Sequence, residues 1–433
     1  MARAADPALA RSAALALVRA LRDAGHIAYF AGGCVRDELL GLRPTDYDVA
    51  TDATPDRIQS LFKRTAAVGA SFGVVLVKPG AELGLEDNAA TIEVATFRSD
   101  GPYSDRRRPD RIAFSDPKSD AERRDFTINA LFLDPNSDSN AAGPRGRVID
   151  YVNGQADLDA KIIRAVGDPE ARLAEDHLRA LRAVRFAARF GFEIEPRTAS
   201  AIAAHARDLK GVSRERIGEE LRRILTDPAA ARGTELLQQL ALDAPVLDDA
   251  HGDRPCPVLS LVAREDEARD FPLRLAAWLI DRGMEPANTR AIATRVRGAL
   301  SLSNDEHDAL RGCLEMLPTL RHAWLIAPIA TQKRLAATHA HGDFARALRL
   351  MHAIDSRLAA SIQKRVADLL NTPSKIRPEP LVTGDDLIAL GLKPGKAFKT
   401  ILDDVYDAQL EDRVATREAG IALALELARS LGI

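Results

Sequence analysis

Two aspartates, Asp46 and Asp48, stand one residue apart in the stretch "AGGCVRDELLGLRPTDYDVATD", residues 31–52. If "DYDVA" is a strand, alternate residues project from one face, about 6.5 Å apart along the chain. Two carboxylates on one face repel each other unless a cation lies between them. Mg2+ suits such a place, because it takes oxygen ligands, commonly one or two carboxylates, and fills its shell with water and substrate phosphates. Two such ions, about 3.5–4 Å apart, activate an attacking oxygen and stabilise a leaving one. Taken alone, an Asp-x-Asp triplet is more often a solvated turn.

The surroundings add to the metal reading. Gly32 and Gly33 close the short strand "HIAYFAGG" and open a helix. Glycines there let backbone N–H groups approach a phosphate, and a helix N-terminus favours anions. Arg36, one helical turn on, adds a charge-assisted contact. A third carboxylate, Glu93, lies inside the apolar strand "TIEVATFR". A buried acid in such a strand needs a partner or a metal. If that strand neighbours "DYDVAT", Glu93 completes an acidic triad; otherwise it is a solvent-facing residue on a half-exposed strand.

Two further stretches carry candidate chemistry. "RRDFTINALF", residues 123–132, reads as an amphipathic helix with Phe126, Ile128 and Leu131 in the core and Arg123 and Arg124 on the surface. The functional alternative has Arg124 and Asp125 meeting the triphosphate and ribose hydroxyls of a nucleotide, and composition does not choose between them. In "EDHLRALRAVRFAARFGF", residues 175–192, Asp176, Arg179, Arg182 and Arg185 recur every third residue and share one flank of a helix. A salt-bridged surface face is the simpler reading. Yet Asp176 and Arg179 are an acceptor and a donor one turn apart. A carboxylate accepts from the exocyclic amino group of adenine or cytosine, and a guanidinium donates to the atom beside it. Such a pair imitates a Watson–Crick edge and selects ATP and CTP over GTP and UTP.

The elements that must hold these residues follow from periodicity. The first 135 or so residues alternate helices and strands: an N-terminal amphipathic helix, the strand ending at Gly33, "VRDELLGL" as helix, "DYDVAT" as strand, "TPDRIQSLF" as a helix capped by Thr54 with Pro55 first, then "GVVLVKP" and "TIEVATFR" as strands. Residues 98–116 are rich in Gly, Pro, Asp and Arg and read as a mobile basic loop. From about Pro169 onward nearly everything is helical by period, punctuated at residues 251–257 and 371–380.

Composition agrees with a soluble, multi-domain chain. The 433 residues imply two to four domains, and 46% hydrophobic content supplies ample core. With 60 basic and 63 acidic residues, the net charge of −3 neither demands nor excludes a nucleic-acid partner. Three separated cysteines, Cys34, Cys256 and Cys313, argue against a disulfide framework or zinc site and for a reducing, cytoplasmic setting. There is no secretory pattern and no run approaching the ~20 apolar residues of a membrane span.

Four stretches, "GGCVRDELLG…DYDVAT", "RRDFTINALF", "EDHLRALRAVRFAARFGF" and "RIGEELRRIL", stand in the order found in class II tRNA nucleotidyltransferases, the bacterial-type CCA-adding enzymes and their poly(A) polymerase relatives. The chain resembles this family closely over about residues 28–230. The resemblance implies an α+β fold: a polymerase-β-like head with a mixed sheet (1–150), then an all-helical neck (151–233), body (234–375) and tail (376–433). It implies that Asp46 and Asp48 hold Mg2+, two ions in all, with Glu93 as a less secure third catalytic carboxylate. Gly33, Arg36, Arg124 and Asp125 would bind the nucleotide; Asp176 and Arg179 would read its base; Arg182 and Arg185 would support the triphosphate and the helix.

The loop at 98–116 resembles the family's flexible loop, which helps switch from C to A addition. "AAVGASFGVVLV", residues 66–77, looks like the CCA-adding rather than the poly(A) pattern. Residues 383–416 resemble the tail of CCA-adding enzymes, with Lys396 and Lys399 at a helix start able to meet RNA phosphates. No HD-type phosphohydrolase motif is evident. The implied activity is template-independent addition of CCA to the 3′ end of tRNA from CTP and ATP, releasing pyrophosphate, with no membrane and no obligate protein partner. Addition of CC alone, of A alone or of a poly(A) tail are variants within the class. A non-catalytic RNA-binding protein is the distant alternative, which the set Asp46, Asp48, Arg124 and Asp176 opposes. A dinucleotide-binding oxidoreductase is disfavoured because "GGCVRD" lacks the GxGxxG spacing.

Overall fold

The computed structural model describes residues 7–67, 73–83, 85, 90–102, 109, 111–136, 146–284, 288–337 and 342–432. The middle of the basic loop (103–108 and 110) and the glycine-bounded part of the 66–77 segment (68–72) lie outside the described residues. The chain forms two compact units, one of Met1–Ile224 with Leu236–His251, the other of Leu225–Glu235 with Gly252–Ile433.

The first unit begins with α1 (Pro7–Asp23), β1 (Ala28–Ala31), α2 (Gly33–Leu39), β2 (Asp48–Thr51), α3 (Pro55–Leu61), β3 (Thr65–Ala66), β4 (Val74–Val77) and β5 (Ile92–Thr96). It continues with β6 (Arg98–Asp100), β7 (Ile112–Phe114), α4 (Pro117–Glu122), β8 (Phe132–Asp134) and β9 (Arg147–Ile149). Seven of these strands form one mixed sheet in the order β3-β4-β5-β2-β1-β8-β9. Its parallel pair is β2–β5, with Asp48 opposite Glu93; the other neighbours run antiparallel.

Alternation along the strands gives the sheet two apolar faces. Phe30, Val49, Val75, Ile92 and Val94 pack with Ala10, Ala13, Ala14, Leu17, Val18 and Leu21 of α1, whose spacing is that of one helix face. Ala31, Ala50, Phe97 and Phe132 build a second cluster. Thr54 caps α3 as expected, its side chain accepting from the Arg57 N–H, with Pro55 in the first turn.

Three local expectations are corrected. Strand β2 begins at Asp48, so Asp46 lies on the approach to the strand and not within it. Residues 98–116 are not wholly loop: β6 and β7 pair as a two-stranded antiparallel ribbon. "RRDFTINALF" is not a helix; α4 stops at Glu122, Thr127–Asn129 is a single 3-10 turn, and Phe132 enters β8. Long-range bonds replace the helical ladder there. The Thr127 N–H donates to the Arg164 carbonyl, the Val166 N–H to the Asp125 carbonyl, and the Thr127 hydroxyl to Asp157 at 2.7 Å. Phe126, Ile128 and Leu131 are nevertheless buried.

The unit is completed by α5 (Gly154–Asp159), β10 (Ile162–Ile163), α6 (Pro169–Glu175), α7 (Leu178–Phe190), β11 (Glu193–Ile194), α8 (Pro196–Ala204), α9 (Arg214–Leu225), α10 (Ala230–Gln239) and α11 (Asp243–Leu247), with α9 and α10 leading across the division. The short parallel pair β10–β11 interrupts the expected all-helical texture.

The second unit is helical among its described residues: α12 (Pro257–Glu265), α13 (Phe271–Asp281), α14 (Thr289–Leu300), α15 (Asn304–His322), α16 (Ile329–Ala337), α17 (Asp343–Ile354), α18 (Ser356–Leu370), α19 (Gly384–Ala389), α20 (Lys396–Leu410) and α21 (Arg417–Ser430). Two buried cations organise it. Arg274 donates to the carboxylate of Asp266 and to the carbonyls of Leu225, Asp227, Ala263 and Asp266. Lys333 donates to Thr372, Ser374 and the Leu410 carbonyl, tying α16 to the end of α20. Each satisfies a group that would otherwise be costly to bury. All three cysteines are free and buried. Among the described residues, no helix is long and apolar enough to cross a membrane.

Candidate active site

The acids come first. Asp48 opens β2 half-buried, Glu93 is its Cα partner on β5, and Asp46 is exposed two residues earlier with the buried Tyr47 between them. Burial pushes the Asp48 carboxyl up to about 7, and the negative charges of Glu93 and Asp46 act in the same direction, against the pull of Arg124. The three acids therefore sense one another, although Asp46 and Asp48 do not share a strand. Glu93 itself is exposed, so the solvent-facing alternative describes its accessibility and the triad its neighbourhood.

Among the described residues no group of three or more acid, His or Cys side chains closes into a metal cage. Mg2+ does not need one, since one or two carboxylates plus phosphates and water suffice. A half-buried carboxyl facing two like charges is a donor set whose repulsion a divalent cation relieves, so the residues present fit Mg2+.

Behind the acids, β1 runs into Gly32 and then α2. Gly32 has φ +71°, a backbone conformation that strains any side chain, and a Cβ there would lie 2.7 Å from Arg124 Nη1 and push that guanidinium aside. Gly33 begins α2, as expected of a phosphate-approaching backbone. Arg36 is placed otherwise than expected. It is 5% exposed and donates to Asp37 and, at 2.5 Å, to Asn129 Oδ1. Its guanidinium lies over the rings of Phe186 and Phe190 of α7. Its donors and faces are committed to the protein, so it braces α2 against α7, and reaching a phosphate would require those contacts to break.

Arg124 projects toward the acids. Its Nε and Nη2 donate to Asp120 Oδ2, its Nη1 to the Asn129 carbonyl, and it lies over the Phe132 ring. Asp125 accepts from Arg182 Nε at 2.8 Å, from Asn129 Nδ2 and from the Phe126 N–H. Burial works against ionisation there, but Arg182 and these donors hold the carboxyl down to about 2.

The base-reading pair is arranged less simply than the spacing implied. Asp176 precedes α7 in extended backbone, so only Arg179, Arg182 and Arg185 lie on the helix. Asp176 accepts from Arg216 Nη2 at 2.6 Å and from the Leu178 N–H. Arg179 pairs with Glu175 and donates to the Arg172 carbonyl. Arg182 pairs with Asp125, and Arg185 pairs with Glu220 while lying over the Phe186 ring.

Sequence reasoning missed Asp120, Asn129, Glu175, Arg216 and Glu220. Glu175 and Asn129 stand four residues from the groups they hold, a spacing visible in the sequence. Arg216 and Glu220 act from α9 and lie in "RIGEELRRIL", a stretch noticed for the resemblance without a role given to either residue. In the second unit Lys396 begins α20 after Gly395, and both Lys396 and Lys399 are exposed there.

Comparisons with known proteins bear on this arrangement. Residues 28–164 match the "Poly A polymerase head domain", a span that contains all three acids and Arg124. Residues 191–251 match the "Probable RNA and SrmB- binding site of polymerase A". The chain is 33% identical over 394 residues to the CCA-adding enzyme of Levilactobacillus brevis, covering 90% of this chain and 91% of that one. It is 38% identical over 283 residues to the CCA-adding enzyme of Bacillus subtilis, covering 61% and 67%. The Bacillus stearothermophilus CCA-adding enzyme, solved in complex with CTP, superposes with a TM-score of 0.76 at 28% identity over 97% of this chain and 98% of that one. The Thermotoga maritima CCA-adding enzyme, solved with tRNA, shares the fold with a TM-score of 0.66 at 20% identity, over 99% and 97% of the chains. An acid-edged mixed sheet followed by helices, matched along nearly the whole chain, makes this protein a member of the class II, bacterial-type tRNA nucleotidyltransferases, the family of the CCA-adding enzymes.

Proposed function

We propose that this enzyme adds CCA to the 3′ end of tRNA without a nucleic-acid template, using CTP and ATP and releasing pyrophosphate. The observation that carries the reading is the convergence of Asp46, Asp48 and Glu93 beside Arg124, in a chain 33% identical to a CCA-adding enzyme along nearly its full length. Asp46 and Asp48 would hold Mg2+, with Glu93 nearby on β5. Two ions held there would lower the charge barrier between an RNA hydroxyl and a nucleotide's α-phosphate.

This chain's own residues do the rest. The N–H groups at Gly33 and the guanidinium of Arg124 receive the phosphates, and Asp125 faces the ribose. Asp176 offers an acceptor and Arg179 donors, which together match the Watson–Crick edge of cytosine or adenine. Because Arg216 and Glu175 already hold that pair, base reading exchanges existing contacts for contacts to the base, a trade that a base with a carbonyl in place of the amino group cannot complete. Arg182 and Arg185 keep α7 in place beneath. These assignments are what the family resemblance implies, and the hydrogen-bonding capacity at each position supports them. Lys396 and Lys399 would meet RNA phosphates, with residues 1–150 as head, 151–233 as neck, 234–375 as body and 376–433 as tail. A cytoplasmic site of action goes with this reading.

The test supplies a tRNA transcript lacking its terminal CCA, Mg2+, and CTP and ATP singly and together, and sequences the products. CTP alone is expected to give CC, and the mixture CCA followed by a stop. A ladder of A, or no extension, overturns the proposal.

A further inference from the structure

Asp120 lies outside every motif that pointed to the site, yet it is 1% exposed and accepts from two arginines and a backbone N–H. Its two oxygens are divided. Oδ2 accepts from Nε and Nη2 of Arg124, at 3.2 and 3.1 Å. Oδ1 accepts from Nε and Nη2 of Arg123, at 3.1 and 2.7 Å, and from the Arg98 N–H at 3.3 Å. Burial opposes its ionisation, but Arg124 and Arg123 overcome it and hold the carboxyl below its ordinary range.

The two sides lead to different places. On one side, Arg124 also donates from Nη1 to the Asn129 carbonyl and acts electrostatically on Asp48. On the other, Arg123 also donates to the Arg98 carbonyl and lies 3.9 Å from Asp100, which pairs in turn with Arg98. Arg98 and Asp100 are the first and last residues of β6, the strand that opens the β6–β7 ribbon. One buried carboxylate therefore grips the base of the ribbon with one oxygen and the phosphate-facing arginine with the other.

We infer that Asp120 is a positioning residue that couples the base of the β6–β7 ribbon to the guanidinium of Arg124. Each guanidinium sets two donors on a single oxygen, and the two oxygens turn together about one bond, so turning the carboxylate at one end redirects the bonds at the other. Displacement of the ribbon base thus re-aims Arg124, and the triphosphate is gripped according to where the ribbon stands. This rests on the assignment of Arg124 to the nucleotide.

A double-mutant cycle tests it, using the full chain, tRNA ending in CC, and ATP as the varied substrate. Arg124→Lys reports whether Arg124 serves the nucleotide at all: it should raise KM for ATP about tenfold, and an unchanged KM would sink that assignment independently of the coupling. Arg123→Gln touches only the ribbon side of Asp120. It is expected to raise KM for ATP several-fold with kcat and thermal unfolding near those of the parent, a split that mere loosening of the fold does not produce. Combined with Arg124→Lys, it should add almost nothing further, because the coupling it disturbs is already lost. Effects that multiply in the double variant, or an unchanged KM in Arg123→Gln, overturn the proposal. Asp120→Asn, where it folds, should match the double variant; a KM equal to the parent's would count against the coupling as well.

Discussion

The edge of the head sheet and the arginine-bearing flank of α7 handle charge in opposite ways. At the edge, Asp48, Glu93 and Asp46 face one another, and among the described residues none of them forms an ion pair with an arginine or lysine. Along α7, Arg179, Arg182, Arg185 and Arg189 each meet a carboxylate: Glu175, Asp125, Glu220 and Asp37. The first region carries unbalanced charge whose natural complement is a cation. The second is balanced before any ligand arrives, and so is preorganised. On the proposed function the two serve different ends: the first would gain energy by taking up metal and phosphate, and the second would compare bases.

Breaking the unbalanced region should have the largest effect. Asp46→Ala or Asp48→Asn is expected to lower nucleotide incorporation on the order of 10³-fold or more, by loss of charge stabilisation at the reacting phosphate. Neither should unfold the head earlier than the parent, because each removes a repulsion. Incorporation near normal would remove the metal assignment; early unfolding would mean the acids serve the fold.

A smaller effect is expected from the balanced region. Arg179→Ala should reduce the preference for ATP and CTP over GTP and UTP about tenfold or more, the worth of a bidentate contact. Parallel incorporation assays with the four triphosphates read this directly. Undiminished discrimination would leave Arg179 as a partner of Glu175 and nothing more.

The finest test sharpens the contrast through pH. Asp125 has its carboxyl at about 2 in the folded chain, against an ordinary value of ~3.9. A depressed carboxyl lends stability that is present above the unfolded value and disappears as pH falls toward the folded one. The pair should thus contribute about 2 kcal/mol at neutral pH, kept down to about pH 4 and lost between about pH 4 and pH 2. Denaturant unfolding at several pH values checks this, with Asp125→Asn as the variant whose profile should be flatter over that window. An identical profile would show that Arg182 does not hold Asp125 in solution.

Local pattern carried the reading far in some places and not in others. Strands β1, β2, β4 and β5 and helices α1, α2, α3 and α7 were legible because their apolar periodicity reports directly which face is buried, and Thr54–Pro55 marked a helix start by chemistry alone. "RRDFTINALF" misled because its apolar residues have helical spacing, while its backbone bonds go to Arg164 and Val166. Asp176 was placed on a helix because threefold spacing does not reveal where the first turn begins. The expectation that Arg36 meets a phosphate overlooks partners that lie far along the chain, Asn129, Phe186 and Phe190. The acids could be named from one triplet and one strand, but their convergence depended on the β2–β5 register, which no single segment encodes.

That register has a consequence for the life of the chain. β2 and β5 are parallel neighbours separated by a long excursion, so Asp48 meets Glu93 only after the loop between them has closed, a slow and non-local event. The complete acid edge is absent from a denatured polypeptide, where Asp46 and Asp48 have no Glu93 beside them. Ions and triphosphates therefore reward only the finished head, and by mass action we expect them to delay its unfolding and digestion; a proteolysis half-life unmoved by Mg2+ with CTP would contradict this.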